Sequence, residues 1–131
     1  MKILSQHPLL TKHVDEEQDR VAGASPYLLP LSAVQTLAKG SMAGVGGFSG
    51  MVADSWMKSV DDMEARFEEY LDALVEAFPK LRAFTEDEGD APLLRQTSLL
   101  GSATMLRYLA MAFGELRNDG KSAREIAAHF K

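Results

Sequence analysis

Three histidines are the residues of this chain best suited to acid–base chemistry or to metal binding. His13 is followed by Asp15, Glu16 and Glu17, and these four side chains could together attract a divalent cation. Consecutive residues do not share one helix face, however, and no second histidine lies at the i, i+4 spacing that chelates a metal. The sequence therefore predicts no metal site and no cofactor.

Serines and carboxylates are the remaining candidates for catalysis. Ser41, Ser49 and Ser98 lack the strand–turn–helix setting in which a nucleophilic serine meets its base. The acidic runs at 61–62 and 86–88 would need a fold that desolvates them before they could act in acid–base catalysis, and the sequence does not indicate one. The chain contains no cysteine, which excludes a thiol nucleophile, a disulfide and a thiolate zinc site. We predict that the protein is not an enzyme.

A glycine-rich stretch offers a different kind of chemistry. Residues 40–50 contain five glycines and no charged residue. A glycine-rich backbone can wrap a phosphate, but this stretch lacks the Gly-Lys-Ser/Thr ending and the preceding strand of such a site. We interpret it as a loop that connects two helices or packs closely against a neighbour, and no small-molecule ligand is indicated.

Basic side chains are concentrated toward the C-terminus. Residues 54–90 carry four basic and twelve acidic groups, whereas residues 91–131 carry six basic and three acidic groups. Duplex DNA is bound by basic groups gathered on one face, where they neutralise phosphates. A small nucleic-acid-binding regulator is therefore an alternative function. Its contacts would be Arg95, Arg107, Arg117, Lys121, Arg124 and Lys131.

The spacing of apolar residues predicts the helices that would position these groups. After an irregular segment over residues 1–30, a short helix starts at Pro30 or Ser32 and ends at Gly40, because glycine readily adopts the left-handed conformation at a helix end. The last helix follows a turn at 118–120. Ser122 is its N-cap, with Glu125 in the capping-box position.

The clearest periodic signal lies between residues 52 and 78. Its apolar residues alternate steps of four and three, a pattern typical of a helix that packs lengthwise against another helix. Such a repeat is either part of a core, which is favoured in a chain this small, or a contact with a partner or a second copy. The contact residues would be Trp56, Val60, Met63, Phe67, Tyr70 and Leu74.

An acidic loop over residues 84–92 precedes a second long pattern. Residues 93–116 are apolar on nearly every side of one predicted helix, as expected for an element at the centre of a fold. Gly101 would allow a neighbouring helix to approach closely. Arg107 is expected to reach the rim of the core with its guanidinium group.

Length and composition limit the architecture. The chain has 131 residues and a formal net charge of −5, which suits one domain with a single core. We predict an all-α fold, a single helical domain over 1–131 that forms a bundle of about four helices. The longest apolar stretch, 99–113, is too short to span a bilayer, and the N-terminus lacks the apolar run of a secretory signal. The expected location is the cytoplasm, with no membrane partner.

One segment near the N-terminus resembles a known family. His13-Val14-Asp15, Arg20, Ser25 and the Leu-Leu-Pro-Leu-Ser-Ala run at 28–33 look like a segment in the C-terminal half of DGQHR-domain proteins, the DndB-like group associated with bacterial DNA phosphorothioation. No Asp-Gly-Gln-His-Arg motif occurs in this chain, so the resemblance covers the helical portion only. It implies a bacterial or phage protein with an accessory role in DNA modification or defence.

These observations favour a non-enzymatic helical module that binds a protein partner or itself. The lengthwise repeat and the strongly apolar second pattern support that function, and the lack of a catalytic set agrees with it. Binding of nucleic acid through the basic C-terminal third is the alternative.

Overall fold

Short helices make up most of the chain. A computed structural model describes residues 6–15, 26–43 and 60–130. Within these ranges lie six α-helices and two very short strands, which confirms the all-α class but gives six helices where about four were predicted. In chain order the elements are β1 (Val14–Asp15), β2 (Leu29–Pro30), α1 (Leu31–Ala43), α2 (Val60–Ala77), α3 (Pro79–Thr85), α4 (Ala91–Thr97), a 3₁₀ turn (Leu99–Gly101), α5 (Ala103–Asn118) and α6 (Ala123–Phe130).

The segment before α1 is attached to the helices although it has little regular structure. β1 and β2 pair in parallel, with Val14 opposite Leu29 and Asp15 opposite Pro30. Leu10 is buried in the core. The segment predicted to be irregular therefore contributes apolar surface to the core, which is the main source of folding free energy.

α1 continues beyond the glycine at which it was predicted to end. Gly40 is buried inside the helix, and Ser41 follows it as a helical residue. Two side chains from other helices satisfy carbonyl groups in the last turn: Arg66 donates to the Ser41 oxygen at 3.2 Å, and Asn118 donates to the Met42 oxygen at 3.2 Å. These contacts offset the roughly 1 kcal/mol that a glycine costs inside a helix. The predicted loop thus does not begin at residue 40, and its remainder, 44–50, lies outside the described residues.

The single long helix predicted over 93–116 is wrong. The chain forms α4, leaves the helix at Ser98, makes the 3₁₀ turn and starts α5 after Ser102. Both serines have extended backbone angles and act as N-caps: Ser98 accepts from the Leu100 N–H, and Ser102 accepts from the Met105 N–H. Serine competes well for backbone donors in this way, so it favours helix starts over helix interiors.

The acidic loop is also shorter than predicted. α3 continues to Thr85, and α4 begins at Ala91, so the connection is confined to residues 86–90. Asp90 caps α4, because its Oδ1 accepts from the Leu93 N–H at 3.1 Å. The carboxylate therefore lies at the positive end of the α4 dipole, where negative charge is favourable.

The described elements share one hydrophobic core. α2 contributes its largest side chains, Phe67 and Tyr70, and the Tyr70 ring lies 5.5 Å from the ring of Phe113 on α5. α6 adds Ile126, which is fully buried. Burial of each large side chain stabilises the fold by about 1.5–3 kcal/mol, so Phe67 and Tyr70 make α2 a major contributor to the core.

The C-terminal helix boundaries agree with the sequence prediction. Gly120 has a φ of 96°, and the Lys121 N–H donates back to the Leu116 oxygen, which closes α5 with a Schellman motif. Ser122 and Glu125 form the predicted capping box, with bonds of 3.3 and 3.1 Å. The bond from the Ser122 backbone N–H is the largest of the effects that hold the pKa of the Glu125 carboxyl below its usual range. Among the described helices, none combines the length and the hydropathy needed to cross a membrane.

Candidate functional site

The apolar repeat on α2 is part of the core. Phe67 and Tyr70 are fully buried, Leu74 is 1 % exposed, and Met63 is partly buried against them. The core alternative, which the sequence favoured, therefore applies to these side chains, and the three buried ones are not accessible to a partner in this fold. Trp56 lies outside the described residues, and Val60 is the first residue of α2.

Tyr70 serves the packing of α2 against α5. Its hydroxyl donates to the Leu106 oxygen at 2.6 Å, and complete burial raises the pKa of the phenol well above its usual range. A neutral phenol that is already hydrogen-bonded inside the core has no access to a substrate. The tyrosine is a structural residue.

Arg117, one of the six predicted nucleic-acid contacts, is held by an intramolecular ion pair. Its guanidinium donates to both carboxylate oxygens of Glu69, with Nη2–Oε1 and Nη2–Oε2 distances of 3.0 Å, and its Nη1 donates to the Lys121 oxygen. Arg66 lies beside this pair, and burial, followed by the charge of Arg117, lowers the pKa of Arg66. The pair connects α2 with α5. Because the Arg117 guanidinium is already bound to Glu69, its charge is less available to a phosphate group of a nucleic acid.

The other predicted basic contacts lie on separate elements. Arg95, on α4, donates to the Tyr27 oxygen at 2.9 Å. Arg107 is exposed in the second turn of α5, about 15 Å along the helix from Arg117. Lys121 and Arg124 are exposed at the start of α6, and Lys131 lies outside the described residues. Arg117, Lys121 and Arg124 are thus close in sequence, and Arg117 contacts Lys121 directly, whereas Arg95 and Arg107 lie on α4 and the second turn of α5.

Two histidines attach the N-terminal segment to the helices. The Leu9 N–H donates to Nδ1 of His7 at 3.1 Å, so in the neutral ring the proton is on Nε2, which lies 2.8 Å from Oδ1 of Asp72. Nε2 of His13 donates to the Phe84 oxygen at 2.7 Å. Within the described residues no three potential ligands come together as a metal site.

Exposed apolar side chains identify a surface that the sequence did not predict. Among the described residues, the large apolar side chains that stay exposed are Leu93 at 53 %, Leu99 at 68 %, Tyr108 at 61 % and Tyr27 at 37 %. The first three belong to α4, the 3₁₀ turn and α5, and Tyr27 is bonded to α4 through Arg95. We call Leu93, Leu99 and Tyr108 the hairpin surface. The sequence misplaced these residues because it merged α4 and α5 into one central helix.

An open groove lies between α3 and α4, next to the hairpin surface. It has a volume of about 210 Å³. Phe84, Leu93 and Leu94 line its apolar part, and Lys80, Glu88 and Asp90 line its charged part. Leu93 belongs to both the groove and the hairpin surface, so the two features are adjacent.

A smaller depression of about 120 Å³ lies on α5 itself. It is lined by Thr104, Arg107, Tyr108 and Met111, which follow one another at i, i+3, i+4 and i+7 and so share one helix face. This face lies opposite the buried face formed by Leu106, Ala110 and Phe113. One helix thus serves the core on one side and presents an aromatic ring and a cation on the other.

No protein-family model, curated protein or solved structure matches the chain. The resemblance to DGQHR-domain proteins accordingly stays a prediction. The candidate site is therefore defined by the geometry of the hairpin surface and the adjacent groove.

Proposed function

We propose that the protein is a non-enzymatic interaction module that binds another protein through the hairpin surface. One observation carries this proposal: the large apolar side chains that are more than half exposed, among the described residues, all belong to the unit from α4 to α5. Scattered single apolar residues are normal on protein surfaces. The proposal is supported by the occurrence of all three within residues 93–108.

The residue types in this unit suit a protein contact. Tyrosine supplies a large, rigid ring with a polar end, and buried aromatic residues often dominate the binding free energy of an interface. Leu99 and Leu93 would each contribute up to about 1.5–3 kcal/mol if a partner covered them fully. Three such side chains are enough to anchor a contact of moderate affinity.

A different protein is favoured over a second copy as the partner. The chain carries a formal net charge of −5, so two copies repel each other at low ionic strength. The exposed side of α2 adds to this effect, because Glu64, Glu68, Asp72 and Glu76 follow one another at intervals of four residues and so share a face of the helix. The same negative charge would attract a positively charged partner and so favour binding.

Substitution of Leu99 and Tyr108 by serine tests the proposal. Both side chains are exposed, so the L99S/Y108S variant should fold normally, and the Gln96→Ser variant, on the same unit, is the matched control. Proteins captured by the wild-type chain would be purified and titrated against all three forms. We expect the double variant to weaken binding at least about tenfold, the equivalent of 1.4 kcal/mol, and the control to bind like the wild type.

Two results would contradict the proposal. Equal affinity of the wild type and the L99S/Y108S variant for every captured protein would show that the hairpin surface is not the contact. A wild-type dimer in light scattering that the double variant abolishes would replace the partner protein with a second copy of the chain.

A further inference from the structure

We propose that the groove between α3 and α4 binds a lysine or arginine side chain of the partner protein. This inference rests on the proposed function and names the chemistry of the partner. Size is the first argument: the groove measures about 210 Å³, below the roughly 300–1,000 Å³ of sites for drug-sized ligands, and suits one long side chain.

The apolar part of the groove matches the stem of such a side chain. Phe84 and Leu94, which are 2 % and 5 % exposed, line it together with Ala83, and the exposed Leu93 extends it toward the hairpin surface. Lysine and arginine carry three or four methylene groups that pack on apolar surface while the charged end stays in water. The groove is open, so an ammonium or guanidinium group could stay hydrated at its mouth.

Charge complementarity identifies the occupant. Residues 86–90 carry four carboxylates in five residues, Glu86, Asp87, Glu88 and Asp90, and all four are exposed. Two of them, Glu88 and Asp90, line the groove itself, where Lys80 is the one cation among the lining residues. An acidic side chain would be repelled here, and a purely apolar one would desolvate the carboxylates without compensation.

The backbone that carries the carboxylates is held in place by the fold of the loop. The Glu88 N–H donates to the Ala83 oxygen at 2.9 Å. Gly89 lies directly over the Phe84 ring, since a Cβ on this residue would be 2.5 Å from the ring atom Cγ. The loop backbone is therefore in place before any partner arrives, which reduces the entropy lost on binding.

Nuclear magnetic resonance titration with three short peptides tests the proposal on the full chain. The probes are acetyl-Leu-Lys-Leu-amide, its norleucine analogue, which keeps the stem without the charge, and its glutamate analogue. We expect the lysine peptide to shift the amide signals of Gly89, Leu93 and Thr97 at millimolar concentration, with an affinity at least about fivefold above that of the norleucine peptide. The glutamate peptide should shift none of them.

The Glu88→Gln and Asp90→Asn double variant isolates the charge. Asparagine caps a helix about as well as aspartate, so α4 should keep its N-cap. The matched control is Glu68→Gln with Asp119→Asn, which removes the same charge from exposed positions on other elements. We expect the groove variant to lose the preference for lysine and the control to keep it. Added salt should weaken the complexes of the wild type and of the control, and should have little effect on the groove variant.

Three outcomes would overturn the inference: no shift with the lysine peptide, equal affinity for lysine and norleucine, or an unchanged preference in the groove variant. Failure of the proposed function is distinguishable from these. In that case the lysine peptide would still bind the groove, while the L99S/Y108S variant would bind the captured partner like the wild type.

Discussion

Tyr70 combines complete burial, a hydrogen bond and an ionisable hydroxyl group in one side chain. Its ring packs near Phe113, and its hydroxyl donates to the Leu106 oxygen from a fully buried position. The folded chain must keep this phenol neutral, because an anion there would be desolvated without a countercharge. Tyr70 therefore makes stability depend on pH in the alkaline range.

We expect Tyr70→Phe to lower the free energy of unfolding by about 1 kcal/mol at neutral pH, the usual worth of one buried hydrogen bond. The raised pKa in the folded state means that above about pH 10 the unfolded chain releases the phenolic proton while the folded chain keeps it. The stability of the wild type should thus fall as pH rises through this range. Urea unfolding at pH 7 to 11 should show a smaller decrease for the variant, and parallel curves would contradict the assignment.

Other single residues owe their roles to partners far away in sequence. His7 is hydrogen-bonded to Asp72, which is 65 residues away in the sequence, and Arg117 is hydrogen-bonded to Glu69, which is 48 residues away. His7 and Arg117 look like candidates for chemistry or binding when they are considered alone. In the folded chain each one connects two segments.

At the scale of elements, the break between α4 and α5 decides which surface is exposed. The 3₁₀ turn lets Gly101 approach α4 so closely that a Cβ on it would lie 2.6 Å from the Arg95 Cα and 2.9 Å from the Leu94 carbonyl carbon. Backbone atoms cannot rotate out of the way as a side chain can. The two helices therefore keep their arrangement only with glycine at this position.

We expect Gly101→Ala to lower the free energy of unfolding by about 1–3 kcal/mol through overpacking. Gly120 is the matched glycine: nothing lies within 4 Å of its Cβ position, but its φ of 96° disfavours other residues. Asparagine tolerates positive φ, so Gly120→Asn should cost less than Gly120→Ala, whereas Gly101→Asn should cost more than Gly101→Ala. Thermal and urea unfolding of the four variants measure this order. If asparagine cost less stability than alanine at both positions, lack of space would not be the constraint at Gly101.

At the scale of the whole molecule, the distribution of charge separates the two candidate functions. The net charge is −5, the acidic side chains of α2 are spread along its exposed side, and Arg117 is neutralised by Glu69. Phosphate binding needs basic groups on one face, whereas Arg95 and Arg107 lie apart in sequence from the neighbouring Arg117, Lys121 and Arg124. This acidic balance is the reason why we propose a protein partner rather than nucleic acid.

We expect the chain to give no gel shift with short duplex DNA at low salt, because few cations are available to replace counterions. The decisive comparison uses the Arg107→Ala/Arg124→Ala variant, which removes two exposed cations. A wild-type shift that weakens as salt rises and disappears in this variant would support the nucleic-acid alternative.

The sequence by itself determined those features that depend on neighbours within one or two helical turns. The four-and-three spacing on α2, the capping box of Ser122 with Glu125 and the glycine that closes α5 are all local signals, and each one predicted the observed element or boundary. The all-α class follows from them, since a helix forms its hydrogen bonds within a single segment.

Only the tertiary structure decided which helix faces are covered. Gly40 stays helical because Arg66 and Asn118 reach the end of α1 from other helices, and the apolar run at 93–116 divides because Ser98 and Ser102 cap new starts beside the close approach at Gly101. The first outcome depends on pairs of residues that are distant in sequence, about which apolar spacing carries no information. The second depends on serine caps only two or three residues from their donors, which a reading of apolar spacing alone passes over. The hairpin surface appears only once α4 and α5 form as separate helices, because this arrangement leaves Leu93, Leu99 and Tyr108 exposed. The acidic groove depends likewise on where α3 ends and α4 begins.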